Sequence, residues 1–216
     1  MAGILDLLNS DLGKQIISGV SNQTGAPQNK TADLLGMAMP VLMGAMQKNA
    51  SSPEGASGLL NAVLNKHDGG ILDNLGGLFQ GGVDESVLQD GDGILGHVLG
   101  AKKTGVEAAL SNKTGLDMGT VANVLKVAAP ILMGVLGQQA RKNNVQSTGD
   151  LSNILGGLLG GGAGSKQQSL IESFLDADGD GSILDDVAGM VLNSGSSKGG
   201  GGILGGLLGG ILGGRR

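Results

Sequence analysis

The chain has 216 residues, a formal net charge of −5 and a pI near 4.9. That balance opposes a nucleic-acid partner, because displacing counterions from phosphates needs a basic face. Phe79 and Phe174 are the only aromatic residues, which leaves no platform for stacking bases, and cysteine is absent, so there is no disulfide framework and the redox compartment is unread. Glycine numbers 44, roughly a fifth of the chain against a usual value of about 7%. The excess is concentrated at 156–164 and 199–214 without a collagen period. Residues 1–8 lack the basic and long apolar regions of a secretory signal, so cytoplasmic residence is the default expectation, with export by another route left open.

From the N-terminus, the organising feature is an internal repeat. Ser21-Asn22-Gln23-Thr24-Gly25 recurs ninety residues later as Ser111-Asn112-Lys113-Thr114-Gly115, and the same offset aligns Pro40-Val41-Leu42-Met43-Gly44 with Pro130-Ile131-Leu132-Met133-Gly134 without a gap. After a small insertion, Leu59 and Asn61 match Leu151 and Asn153. Each unit reads as a short helix, a Thr-Gly turn, a long apolar helix and another short helix, giving a first unit over 1–83 and a second over 84–160. The long helices are predicted at 28–48 and 118–142, the second capped by Asp117. Both are apolar nearly all round, which suits a buried centre or a bilayer. The apolar stretch is nearer sixteen residues than the ~20 of a membrane span, and Asp33 and Lys126 interrupt it, so buried core is the expectation. Pro40 and Pro130 each remove a backbone bond inside these helices, and Gly44 and Gly134 one turn later would let a partner helix approach. Pseudo-symmetric packing should bury Leu42, Met43, Leu132 and Met133 at the contact.

Between the long helices, Gly91-Asp92-Gly93-Ile94-Leu95-Gly96 formally matches a dinucleotide fingerprint but has no preceding strand, and Asp92 would repel a pyrophosphate. Asp90-Gly91-Asp92-Gly93 reads instead as an acidic turn before a helix over 94–99. His67 and His97 have no metal-ligand spacing, and each is expected at a surface or helix end. Gly161-Gly162-Ala163-Gly164-Ser165-Lys166 lacks the ending of a phosphate loop. The Thr-Gly turn suggests a helix-turn-helix, but the second helix would offer a DNA groove only Asn123 and Lys126.

After a Gly-rich linker at 161–168 comes the one strong chemical motif, in a predicted helix-loop-helix over 169–198. Asp176, Asp178 and Asp180 occupy positions one, three and five of an EF-hand-like calcium loop, Gly181 takes the sharp turn, Ser182 supplies a backbone carbonyl and Ile183 the aliphatic anchor. Position twelve is Val187 instead of the usual Glu, so Asp185 or Asp186 must complete the metal site. The bland reading is an Asp/Gly turn. Five carboxylates in eleven residues, with no Lys or Arg among them, favour Ca²⁺. The tail at 199–216 repeats two glycines and two aliphatics and ends in Arg215-Arg216. As a helix it would be shorter than a bilayer core and weakened by glycine, so it reads as an interaction segment, with membrane contact the lesser option.

The Thr-Gly turns, the Ala-Pro-Ile-Leu-Met-Gly helix centre, Gly91-Asp92-Gly93-Ile94-Leu95-Gly96-His97-Val98-Leu99-Gly100 and the late Asp/Gly loop together make the chain resemble a bacterial domain-of-unknown-function family, number nine hundred and thirty-seven in its series. The likeness covers roughly residues 1 to 190 and implies an all-helical fold that pairs a duplicated region with the acidic loop. It brings no activity. The sequence therefore leads to an all-α, non-catalytic interaction or structural protein, stabilised by Ca²⁺, that binds a protein partner or itself through the helical units or the tail. An enzyme or regulator with a polar site unreadable in sequence is the alternative, and a nucleic-acid-binding module the third.

Overall fold

Two helices without a polar face must lie at the centre of whatever they build, and the structure, a computed structural model that describes residues 3–160, places both of them there. In chain order the elements are α1 (Ile4–Asn9), α2 (Asp11–Thr24), α3 (Gln28–Asn49) and α4 (Pro53–Asn61), which runs into a π-turn at Ala62–Lys66. They continue as α5 (Gly70–Asp73), α6 (Leu75–Phe79), α7 (Glu85–Leu99), a 3₁₀ turn at Gly100–Lys102, α8 (Lys103–Thr114), α9 (Met118–Lys142) and α10 (Thr148–Gly160). The protein is all-α, and no strand occurs among the described residues. The predicted linker, calcium loop and tail lie outside them.

Every residue from 127 to 137 of α9 is buried, as its all-round apolar sequence requires. Helices α2, α3, α5, α7, α8 and α10 surround it. By length and hydropathy α9 could cross a membrane, but 72% of its most apolar stretch is already covered inside the protein. Helix α3 packs on α9, and Leu42, Met43, Leu132 and Met133 are all buried, none more than 2% exposed. One core cluster runs from Ile4 to Leu158 through both repeat units.

The two Thr-Gly turns are built by the same bonds. Ser21 Oγ donates to the Ala26 carbonyl and Ser111 Oγ to that of Leu116, both at 2.6 Å. Thr24 and Thr114 hydroxyls donate back to Val20 and Leu110 at 2.8 Å. Gly25 and Gly115 take left-handed φ of 72° and 64°, with N–H bonds to Ser21 and Ser111 that close the outgoing helix end. Asp117 caps α9 as predicted, accepting from the Thr120 N–H at 2.9 Å. Its pKa is lowered, first by the Thr120 hydroxyl and then by that N–H. Ser52 caps α4, and Ser147 with Asp150 forms a reciprocal box at α10.

The expected acidic turn at Asp90–Gly93 is instead the middle of α7. Gly91, Leu95 and Leu99 form its buried stripe, and a Cβ on Gly91 would overlap the Lys126 carbonyl of α9. Pro130 has no N–H to bond that carbonyl four residues back. The proline therefore leaves an oxygen free where α7 comes closest, and glycine is the residue that allows the approach. The close approach expected at Gly134 also occurs, but the element packed there is α5 through Ile71, and the His67 carbonyl sits against Gly137.

Candidate functional site

Residues from α3, α4, the π-turn, α7 and α9 line an open cleft of about 370 Å³, within the ~300–1,000 Å³ range of small-ligand sites. Met46 of α3 and Met133 of α9, both buried, lie at its base. Helix α4 contributes Glu54, Gly55, Gly58 and Leu59, the π-turn Ala62 and Lys66, and α7 Ile94, His97 and Val98. The surface is mostly apolar, with charge at its edge. Asn49 fixes the junction: its amide donates to the His97 and Val98 carbonyls at 3.0 and 3.1 Å, so the end of α3 satisfies the last turn of α7.

The glycines of this wall differ in their reason for being there. A Cβ on Gly55 would overlap the Asn49 carbonyl, so that position must be bare. Gly58 has nothing within 4 Å of the place a Cβ would take. Glycine inside a helix costs about 1 kcal/mol relative to alanine, and no neighbour in the described fold requires it at Gly58. Its effect is to leave the cleft open along α4.

A second, polar group lies on the other residues of α7. Asp92 receives Lys103 at 2.7 Å and Lys126 at 3.1 Å, tying α7 to α8 and α9. Those two ammonium groups, Lys103 first, hold its pKa below the usual carboxylate value. His67 Nδ1 is 3.8 Å from Asp90 Oδ2, with only 11% of its side chain exposed. Burial lowers its pKa below 6.5, Asp90 works against that, and Lys66 adds to it. Beside it, Asp68 accepts from Arg141 at 3.1 Å and from the Gly70 N–H at 3.0 Å. His97 is exposed at a helix end as expected, whereas His67 is more enclosed than its sequence suggests.

The predicted metal ligands Asp176, Asp178, Asp180, Ser182, Asp185 and Asp186 lie outside the described residues. Among the described residues, no group of three or more His, Asp or Glu is placed to hold a metal ion. The cleft itself was missed in the sequence, because its lining comes from positions scattered between Met46 and Met133.

The model of the family described as bacterial protein of unknown function (DUF937) matches residues 6–139 and 141–215, and the chain belongs to that family. No curated protein and no solved structure matches it.

Proposed function

We propose that this DUF937 member is a non-catalytic helical interaction protein whose binding face is the cleft between α4 and α7. The observation behind this reading is the cleft itself, about 370 Å³ walled by the half-buried Leu59, Ile94 and Val98, to which Gly58 adds no side chain. The polar groups nearby favour a structural role over an enzymatic one, since Asp92 is engaged by two lysines and His67 is turned to Asp90. The nucleic-acid option is disfavoured by the same pairing, because Lys126 is committed to Asp92. We also propose, from the sequence alone, that Asp176, Asp178, Asp180, Ser182 and one of Asp185 and Asp186 bind Ca²⁺ beside this module.

A photo-crosslinking residue in place of Val98, in the native host, tests the binding face. The expected result is a discrete protein adduct that disappears when Gly58→Leu fills the cleft. An adduct pattern identical to that from the exposed position Asn29 at the start of α3, unaffected by Gly58→Leu, would refute it.

A further inference from the structure

We propose that the cleft is covered in cis by the chain's own glycine-aliphatic segment, residues 201–214, which a partner must displace. This rests on the cleft being a binding face, and it names what occupies that face when no partner is present. The first argument is position. Helix α10, the last described element, packs on α3, α4 and α9, the helices that supply the base and one wall of the cleft. Residues 161–200 then separate it from the segment. At only half of the extended reach of about 3.3 Å per residue, that tether spans roughly 65 Å. The described domain, by its chain length, should be about 40 Å across.

The second argument is shape and composition. The segment places Ile203-Leu204, Leu207-Leu208 and Ile211-Leu212 between pairs of glycines. The cleft has apolar walls at Leu59, Ile94 and Val98, and at Gly58 it is open for a backbone that carries no side chain. At about 370 Å³ it is more than twice the ~150 Å³ cavity that accepts a benzene ring, which is room for an aliphatic pair. The third argument is concentration. A tethered segment acts at an effective concentration of about millimolar, so at lower protein concentrations a weak contact forms within one chain before it forms between two.

Because the chain has no cysteine, introduced pairs report without background. Full-length protein carrying Gly58→Cys and Leu207→Cys should close an intramolecular disulfide under mild oxidation at least about tenfold faster than one carrying Asn29→Cys and Leu207→Cys. Asn29 is seventeen residues before Met46 on α3, roughly 25 Å away along the helix. The fast rate should be independent of protein concentration and should fall to the control value when Val98→Arg is added to the wall, with helicity unchanged by circular dichroism. Equal rates in the two pairs would overturn the proposal. A rate proportional to protein concentration would also overturn it, placing the segment of a second copy in the cleft. Crosslinking at Val98 separates this idea from the one beneath it. Equal disulfide rates with partner capture intact remove the tail alone, whereas no capture by either the full chain or a chain ending at residue 198 removes the binding face.

Discussion

Helix α7 carries two glycines two residues apart whose replacement by alanine should change stability in opposite directions. At Gly93 an added Cβ meets nothing within 4 Å, so Gly93→Ala reduces the freedom of the unfolded chain without a native cost and should stabilise by about 0.4–1 kcal/mol. At Gly91 the Cβ overlaps the Lys126 carbonyl, a backbone atom that cannot rotate aside. Helices α7 and α9 would have to move apart along the stripe of Leu95 and Leu99, and overpacking of this kind costs about 1–3 kcal/mol. For a domain of this size, about 1 kcal/mol shifts Tm by roughly 2–4 °C. Thermal unfolding followed by far-ultraviolet circular dichroism should therefore show Gly93→Ala about 1–3 °C above wild type and Gly91→Ala several degrees below it. If both variants melted above the wild type, α7 would not approach α9 at the carbonyl freed by Pro130.

Leu132→Ala should cost about 2–5 kcal/mol in denaturant unfolding, since the side chain is fully buried in α9; a cost near zero would place it at the surface. His67 has a folded pKa below the ordinary 6.5, so the unfolded chain binds more protons between the two values. Its contribution to stability is fully present above about pH 6.5 and is lost as pH falls through the folded value. His67→Asn should flatten the fall in Tm between about pH 7 and 5, and an unchanged slope would refute the assignment. Asp92 has the opposite chemistry and the same sign: its pKa is depressed from 3.8, so Asp92→Asn should destabilise near neutrality and make progressively less difference as pH drops through the depressed value. Calorimetry should show Ca²⁺ binding in the range of about 10⁻⁵ to 10⁻³ M that is absent in Asp178→Ala, and no heat from the wild type at millimolar ion would return the loop to an ordinary acidic turn.

The long helices were legible because a segment without a polar face has one place to go. The limits 118–142 agree with α9, and 28–48 differ from α3 by the single residue Asn49. The cap at Asp117 and both Thr-Gly turns were legible too, since their bonds connect residues within five positions of one another. Asp90–Gly93 was misread for the converse reason. Locally these residues favour a turn, but Leu95 and Leu99 below, Lys103 and Lys126 on Asp92 and the free carbonyl facing Gly91 all reward a helix, and each of those partners except Lys103 depends on α9. Tertiary packing outweighed local preference. The cleft was illegible because no stretch of sequence contains it.

The two repeat units also end differently, and the difference falls at the cleft. In the second unit, the C-terminal half of α9 is closed over by the segment that runs from the end of the π-turn into α5: the His67 carbonyl lies against Gly137 and Ile71 of α5 against Gly134. Leu136, the counterpart of Met46 by the ninety-residue offset, is fully buried beneath such cover. That covering segment belongs to the first unit, so it can serve only one of the two long helices. The equivalent end of α3 is covered by other elements, α4 and α10, and Met46 is as fully buried as Leu136. Each long helix therefore ends under a different cover, α9 under the chain that joins the two units and α3 under the helices α4 and α10. What remains uncovered beside the α3 end is the groove walled by Leu59, Ile94 and Val98, whose half-buried side chains are the apolar area that a further element, such as the aliphatic pairs of residues 201–214, would cover at about 25 cal/mol for each Å².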